Sequence, residues 1–170
     1  MKDIINRVTE SSLKTINLED FYTPGKRIIY DLKDNLFQEL ILKEKDFREF
    51  IKSNNWEYTK DANVAITCSA DAIVPTWAFI LIFTKISPLA NHTVIGDLAS
   101  LEQSLFQKSL SNLNVQEFLG AKVVVKGCSK IPVPLFAYGE LTRLLQPVVQ
   151  SLMYGEPCST VPLYKQLSRG

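Results

Sequence analysis

The 170-residue chain is poor in the residues that announce most chemistries. It has one histidine, His92, so there is no pair of ligands for a zinc-protease helix and a single base for any Ser-His-Asp arrangement. No serine sits in a glycine-flanked elbow. The seven glycines are scattered, and Gly96, Gly120 and Gly127 stand alone, so no loop is built to cradle phosphate. A formal net charge of +1 gives neither nucleic acid nor an anionic membrane a field to answer. Long apolar runs are missing too. The longest, Ala72 to Leu89, is broken by Pro75, Lys85 and Pro88, where a bilayer span needs about 20 clean residues. The opening MKDIINRVTESS carries acids and lacks the pattern of a secretory signal. The expectation is a cytoplasmic protein whose thiols stay reduced. There are three cysteines, an odd number that cannot close into a disulfide framework.

What is present is a globular composition, 46% hydrophobic and 22% charged, which at this length predicts one domain with a full core. Residues 1–61 read as an N-terminal helix (Met1 to Ser11), a hairpin and a second helix. Leu13 to Phe21 and Lys26 to Asp34 are strand-like, and Tyr22-Thr23-Pro24-Gly25 is a turn, so an antiparallel hairpin is expected there. KEKDFREFIKSNN is an amphipathic helix with Phe47, Phe50 and Ile51 on its stripe. Residues 62–155 then alternate strand and helix. NVAITC, TVIGD and AKVVVKG are the strands. WAFILIFTKI reads as a helix buried on more than one face, LASLEQSLFQKSLSNL as an amphipathic one, and VPLFAYGELTRLLQPVVQSLMYG as a long one divided by Pro147. Residues 156–170 show no regular period. The fold predicted is a single α/β domain, with three parallel strands at its core and a mixed sheet extended by the hairpin.

All three cysteines share one local phrase, Cys-Ser, a few residues, Val-Pro, then an apolar or aromatic residue: Cys68 in TCSADAIVPTW, Cys128 in GCSKIPVPLF, Cys158 in PCSTVPLY. Cys68 and Cys128 end predicted parallel strands, where ligands gather in open α/β sheets. If the first of the three strands is central, the two cysteines lie on neighbouring strands, about 5 Å apart. Each precedes a helix start, whose free N–H groups favour a thiolate. Cys158 reaches such a site through the reversal at Pro147 or from a second subunit of a homodimer. Three converging thiolates suit zinc, cuprous copper or an iron–sulfur cluster, with Asp71, Glu156 or His92 as a fourth ligand. Asp71 is the first choice, and it fits a helix cap equally well. His92 falls at the end of the sheet opposite Cys68. Ser69, Ser129 and Ser159 would tune sulfur by hydrogen bonding or simply shape turns. Arg143 and Lys126, the nearest cations by sequence, read as solvated charges. Taken singly, each cysteine also fits a small buried hydrophobe.

The phrases LFQELILKEKDFREF, TCSADAIVPTWA, VVKGCS and ELTRLLQPVVQSLMYGEPCSTVP resemble the uncharacterised proteins of Bacteroidetes grouped as domain of unknown function 2480. The likeness spans most of Leu36 to Pro162. It implies no established activity. It does imply a neighbourhood with iron–sulfur cluster assembly, and hence assembly proteins as partners. The leading expectation is a metal- or iron–sulfur-binding accessory factor using Cys68, Cys128 and Cys158, with Asp71. Two alternatives stand beside it. One is a thiol or persulfide transfer enzyme with Cys68 or Cys128 as nucleophile. The other is a non-catalytic interaction protein whose cysteines are structural and whose apolar tail, Val161 to Leu167, is a docking or dimer element.

Overall fold

The computed structural model describes residues 13–127, 130–156 and 158–168. The helix expected over Met1 to Ser11 lies outside the described residues. In chain order the elements are β1 (Leu13–Asn17), β2 (Arg27–Asp31), α1 (Glu44–Ser53), β3 (Asn63–Thr67), α2 (Thr76–Ile86), β4 (His92–Ile95), α3 (Leu98–Leu110), β5 (Lys122–Lys126), α4 (Leu135–Leu145), β6 (Ser151–Glu156) and β7 (Ser159–Lys165). The protein is mixed α/β, as the alternation of strand and helix patterns predicts. By its internal contacts the chain divides into two compact units, named here for their place in the sequence. Thr23–Leu105 form the middle unit. Residues up to Tyr22 and from Phe106 onward form the terminal unit.

The middle unit holds a three-stranded sheet in the order β2-β3-β4, parallel throughout. Its central strand is buried along Asn63, Val64, Ala65 and Ile66, the continuous run expected of a parallel strand covered on both faces. Val64 and Ile66 pack with Leu32, Phe47, Ile51 and Trp56 and with one stripe of α2, Ala78, Ile82 and Ile86. Ala65 packs with Leu101 and Leu105 of α3. Burial of α2 on several faces is met in part: its stripe is fully buried, but Ile80 is 51% exposed.

The terminal unit holds the order β1-β5-β6-β7, with the first three parallel and β7 antiparallel to β6. Val123 and Val125 pack with Ile16, Leu18 and the α4 stripe Ala137, Leu141 and Leu145. Phe106 and Leu110, from the end of α3, belong to this core.

Three expectations are corrected. β1 and β2 do not form an antiparallel hairpin: β1 pairs parallel with β5 and β2 parallel with β3. Leu18–Phe21, read as strand, is a 3-10 turn capped by the Asn17 side chain, and the stretch from there to Arg27 is too long for a tight hairpin. Nor do β3, β4 and β5 share a sheet. A strand has only two edges, and β2 and β4 occupy both edges of β3. Finally, the long C-terminal helix stops at Leu145, two residues before Pro147. SLMYGE is strand β6, and the tail read as irregular supplies β7.

The two units repeat one design. From Asn55 to Asp97 and from Asn114 to Glu156 the chain matches at a constant separation of 59 positions. Asn55 and Asn114 each accept the N–H two residues on. Asp61 and Gly120 both take positive φ (59° and 68°) and donate their N–H groups to Leu89 and Val148. Asn91 and Gln150 donate to Ala62 and Ala121. Pro75 and Pro134 cap α2 and α4 with the same extended backbone. The first strand of each unit matches too, at a shorter spacing. Asn17 and Asp31 end β1 and β2, cap the following 3-10 turn with a side-chain oxygen, and precede the buried Leu18 and Leu32.

Candidate functional site

Beyond the carboxyl ends of β3 and β4 lies a cleft of about 430 Å³, lined along β3 and its following loop by Ile66, Thr67, Cys68, Ala70, Ala72 and Val74, and across from them by Phe79, Ile95 and Gly96. This is where open parallel sheets place ligands, because loops leaving neighbouring strand ends diverge there. Among the described residues the lining carries no charged side chain. The residues in it with polar side chains are Thr67 and Cys68. Cys68 is a free thiol of intermediate exposure, and its Sγ lies 3.9 Å from the Ala70 carbonyl, a weak contact.

The loop that carries Cys68 is held by Asp31. The Asp31 carboxylate accepts the Ser69 N–H at 3.0 Å, the Ser69 hydroxyl at 2.5 Å and the Lys33 N–H at 3.0 Å. Desolvation acts to raise the carboxyl pKa. The hydrogen bonds from Ser69 and Lys33 outweigh it, so the group sits below its ordinary value. Ser69 therefore spends its hydroxyl on Asp31.

The other expected site residues fall elsewhere. Asp71 is exposed on the loop beside the cleft, and α2 starts at Thr76 behind Pro75 with no side-chain cap, so Asp71 is not the cap. His92 opens β4 opposite Asn63, at the far end of the sheet from Cys68 as expected, and its Nε2 lies 2.7 Å from the Ser104 hydroxyl. Cys158 is a free, exposed thiol in the tight connection between β6 and β7, and Glu156 pairs with Lys126 at 3.0 Å. Arg143 forms a surface pair with Glu140. Cys128 and Ser129 lie outside the described residues. Because β3 and β5 are not neighbours, the argument that put Cys68 and Cys128 side by side no longer holds. Among the described residues no group of three or more His, Cys, Asp or Glu could hold a metal ion.

Sequence reasoning found Cys68 and the strand it ends. It missed Asp31, read as part of a strand, and Phe79 and Ile95, read as ordinary apolar residues of a helix and a strand. The signal that finds them is the repeat. In the terminal unit the positions matching Phe79, Ile95 and Cys68 are Tyr138, Tyr154 and Gly127. There the two tyrosine rings meet edge-on, with centroids 6.0 Å apart and planes at 67°. The Tyr138 hydroxyl stands so close to Gly127 that a Cβ added there would be 1.5 Å from it. The Lys126–Glu156 pair has Thr67 and Asp97 at its matching positions, and Asp97 instead caps α3 by accepting from the Ser100 N–H and hydroxyl at 2.8 Å.

By fold and site the molecule is a mixed α/β protein built on a repeated parallel strand–helix–strand unit, with an open cleft at one set of strand ends. The chain belongs to the DUF2480 family, proteins of unknown function, whose model matches residues 2–166. No curated protein and no solved structure matches it. Among the described residues no helix is long and apolar enough to cross a membrane.

Proposed function

We propose that the protein binds a small ligand in the cleft beyond β3 and β4, and that the Cys68 thiol faces that ligand and supplies whatever covalent chemistry follows. The observation that carries this reading is the cleft itself, about 430 Å³ at the strand ends where such sheets bind ligands, with a free thiol in its lining. The lining, without a charged side chain among the described residues, favours a ligand that presents a neutral part to it. This keeps the thiol-chemistry alternative of the sequence reading and takes Cys68, of its two candidates Cys68 and Cys128, as the thiol.

The test is peptide-resolved alkylation of the native protein with iodoacetamide, alone and across a library of small neutral fragments, with metal content measured on the same samples. Selective protection of Cys68 by some fragments, with Cys158 unaffected, is the expected result. Alkylation of Cys68 that no fragment slows overturns the reading. The zinc or iron–sulfur proposal, with Cys68, Cys128, Cys158 and Asp71 as ligands and assembly proteins as partners, predicts something else: bound metal, lost together in Cys68→Ala, Cys128→Ala and Cys158→Ala.

A further inference from the structure

We propose that the ligand of the Cys68 cleft carries a planar aromatic ring, seated edge-on against Phe79 in the place that the Tyr154 ring takes against Tyr138. The inference rests on the reading of the cleft as the working site and adds the ligand's class.

The terminal unit supplies the template. Tyr154 follows from the pairing of β5 with β6, where Val125 faces Tyr154. Ile95 follows from the pairing of β3 with β4, where Ile66 faces Ile95. The two positions are therefore equivalent in register as well as in spacing. Tyr138 and Phe79 occupy the same turn of α4 and α2, each the fourth residue of a helix capped by proline. In the terminal unit both rings are present and pair edge-on. In the middle unit one ring of the pair is kept, Phe79, and the other is replaced by the smaller Ile95.

Two more exchanges fall at the same place. The Tyr138 hydroxyl fills the space over Gly127, and where Phe79 lacks that hydroxyl the residue matching Gly127 is Cys68. At the position of Ile131 the middle unit has Ala72. The result is a cleft with Phe79 and the free thiol of Cys68 in its lining. A neutral ring entering there restores the missing half of an edge-to-face pair, an arrangement favoured over burial of a saturated body of the same size.

The experiment uses the full chain and three probes: phenol, indole and, as the saturated counterpart, cyclohexanol. Each is scored by how far it slows iodoacetamide labelling of Cys68, with Cys158 as internal control. Phenol and indole are expected to protect Cys68 at about tenfold lower concentration than cyclohexanol. Ile95→Tyr, which supplies the ring from the chain itself, is expected to slow labelling without any probe and to abolish protection. If that variant does not fold, Phe79→Leu decides the matter. It should keep the cleft and bring phenol and cyclohexanol to equal potency. Equal protection by phenol and cyclohexanol in the wild type overturns the aromatic ring and leaves the cleft as a ligand site. Absence of protection by any probe, with labelling of Cys68 unchanged by Ile95→Tyr, overturns both. So does protection of Cys68 and Cys158 to the same extent.

Discussion

Where the strands of the terminal unit end, Tyr138 and Tyr154 meet edge-on and Lys126 pairs with Glu156. Where the strands of the middle unit end, Phe79, Ile95, Thr67 and Cys68 surround an open cleft. The scaffolds under the two are the same. Both have a buried central parallel strand, a proline-capped helix with a three-residue buried stripe, and a positive-φ residue three positions before the strand's second residue. The difference lies in a few side chains above a common backbone. The same scaffold thus carries an edge-on tyrosine pair at one set of strand ends and a cleft lined by a free thiol at the other.

The largest effects should fall on what the units share. Ile82 of α2 and Leu141 of α4 hold matching places, and both are wholly buried. Truncation of either to alanine removes the same core contact and should cost about 2–5 kcal/mol. Both tryptophans, Trp56 and Trp77, lie in the middle unit, so tryptophan fluorescence reads that unit, and far-ultraviolet circular dichroism reads the whole chain. Urea titrations followed by both signals should give losses within about 1 kcal/mol of each other, well inside the spread such substitutions show. A much smaller loss for Ile82→Ala would break the comparison, because it would mean that the core under the cleft collapses around a cavity where the core of the terminal unit does not.

The next effect falls on the difference. Gly127 has an ordinary φ, so an added methyl meets a problem of space alone: the Tyr138 hydroxyl and ring. Gly127→Ala should cost about 1–3 kcal/mol by displacing that ring. In a Tyr138→Leu background the obstacle is gone, and the same change should be within about 0.5 kcal/mol of neutral. The double-mutant cycle in urea measures the coupling directly. If Gly127→Ala costs as much without the ring as with it, Tyr138 is not what keeps residue 127 a glycine, and the pairing of Gly–Tyr in one unit with Cys–Phe in the other loses its meaning.

The repeat also explains what the sequence let one read. Periodicity located β3, α2, β4, α3 and β5, because each has a long enough apolar pattern to choose between strand and helix. It misjudged β6, since SLMYG follows the α4 pattern closely and Leu and Met suit a helix. Yet the matching TVIG was read as strand, its β-branched residues giving the signal that Leu and Met withhold. β7 was hidden by Pro162 and by the register shift between Leu152 and Met153, which together erase the alternation. Strand order was not legible at all, because no local pattern says that β1 awaits β5 across the whole middle unit. The cysteine phrase was a real echo heard one residue out of register: Cys68 matches Gly127, and Cys128 matches Ser69. Two similar phrases therefore did not mean two equivalent thiols.

The smallest effect tests how the open cleft is held. Asp31 and Asn17 are matched caps at the ends of β2 and β1, each accepting the N–H two residues on at 3.0 Å. The carboxylate of Asp31 goes further and grips Ser69, next to Cys68. In the terminal unit the loop after β5 is held instead by Glu19, which accepts from the Lys130 and Ile131 N–H groups. The Asp31 pKa is depressed in the folded protein, with the hydrogen bonds from Ser69 and Lys33 overcoming the opposing desolvation. A depressed carboxyl pKa stabilises fully above the unfolded value of 3.8, and the contribution fades as pH falls through the lower folded value. The tryptophan-detected urea midpoint of Asp31→Asn should therefore lie below that of wild type at neutral pH, and the gap should close as the solution is acidified below the ordinary carboxylate range. The same substitution should speed alkylation of Cys68 at neutral pH, since the loop loses its charged anchor, while Cys158 labels as before. A gap that stays constant down the acid limb would assign the loss to the cap geometry alone. The cleft loop would then need no charge to hold it, and the middle unit would differ from the terminal one only in the side chains above the strands.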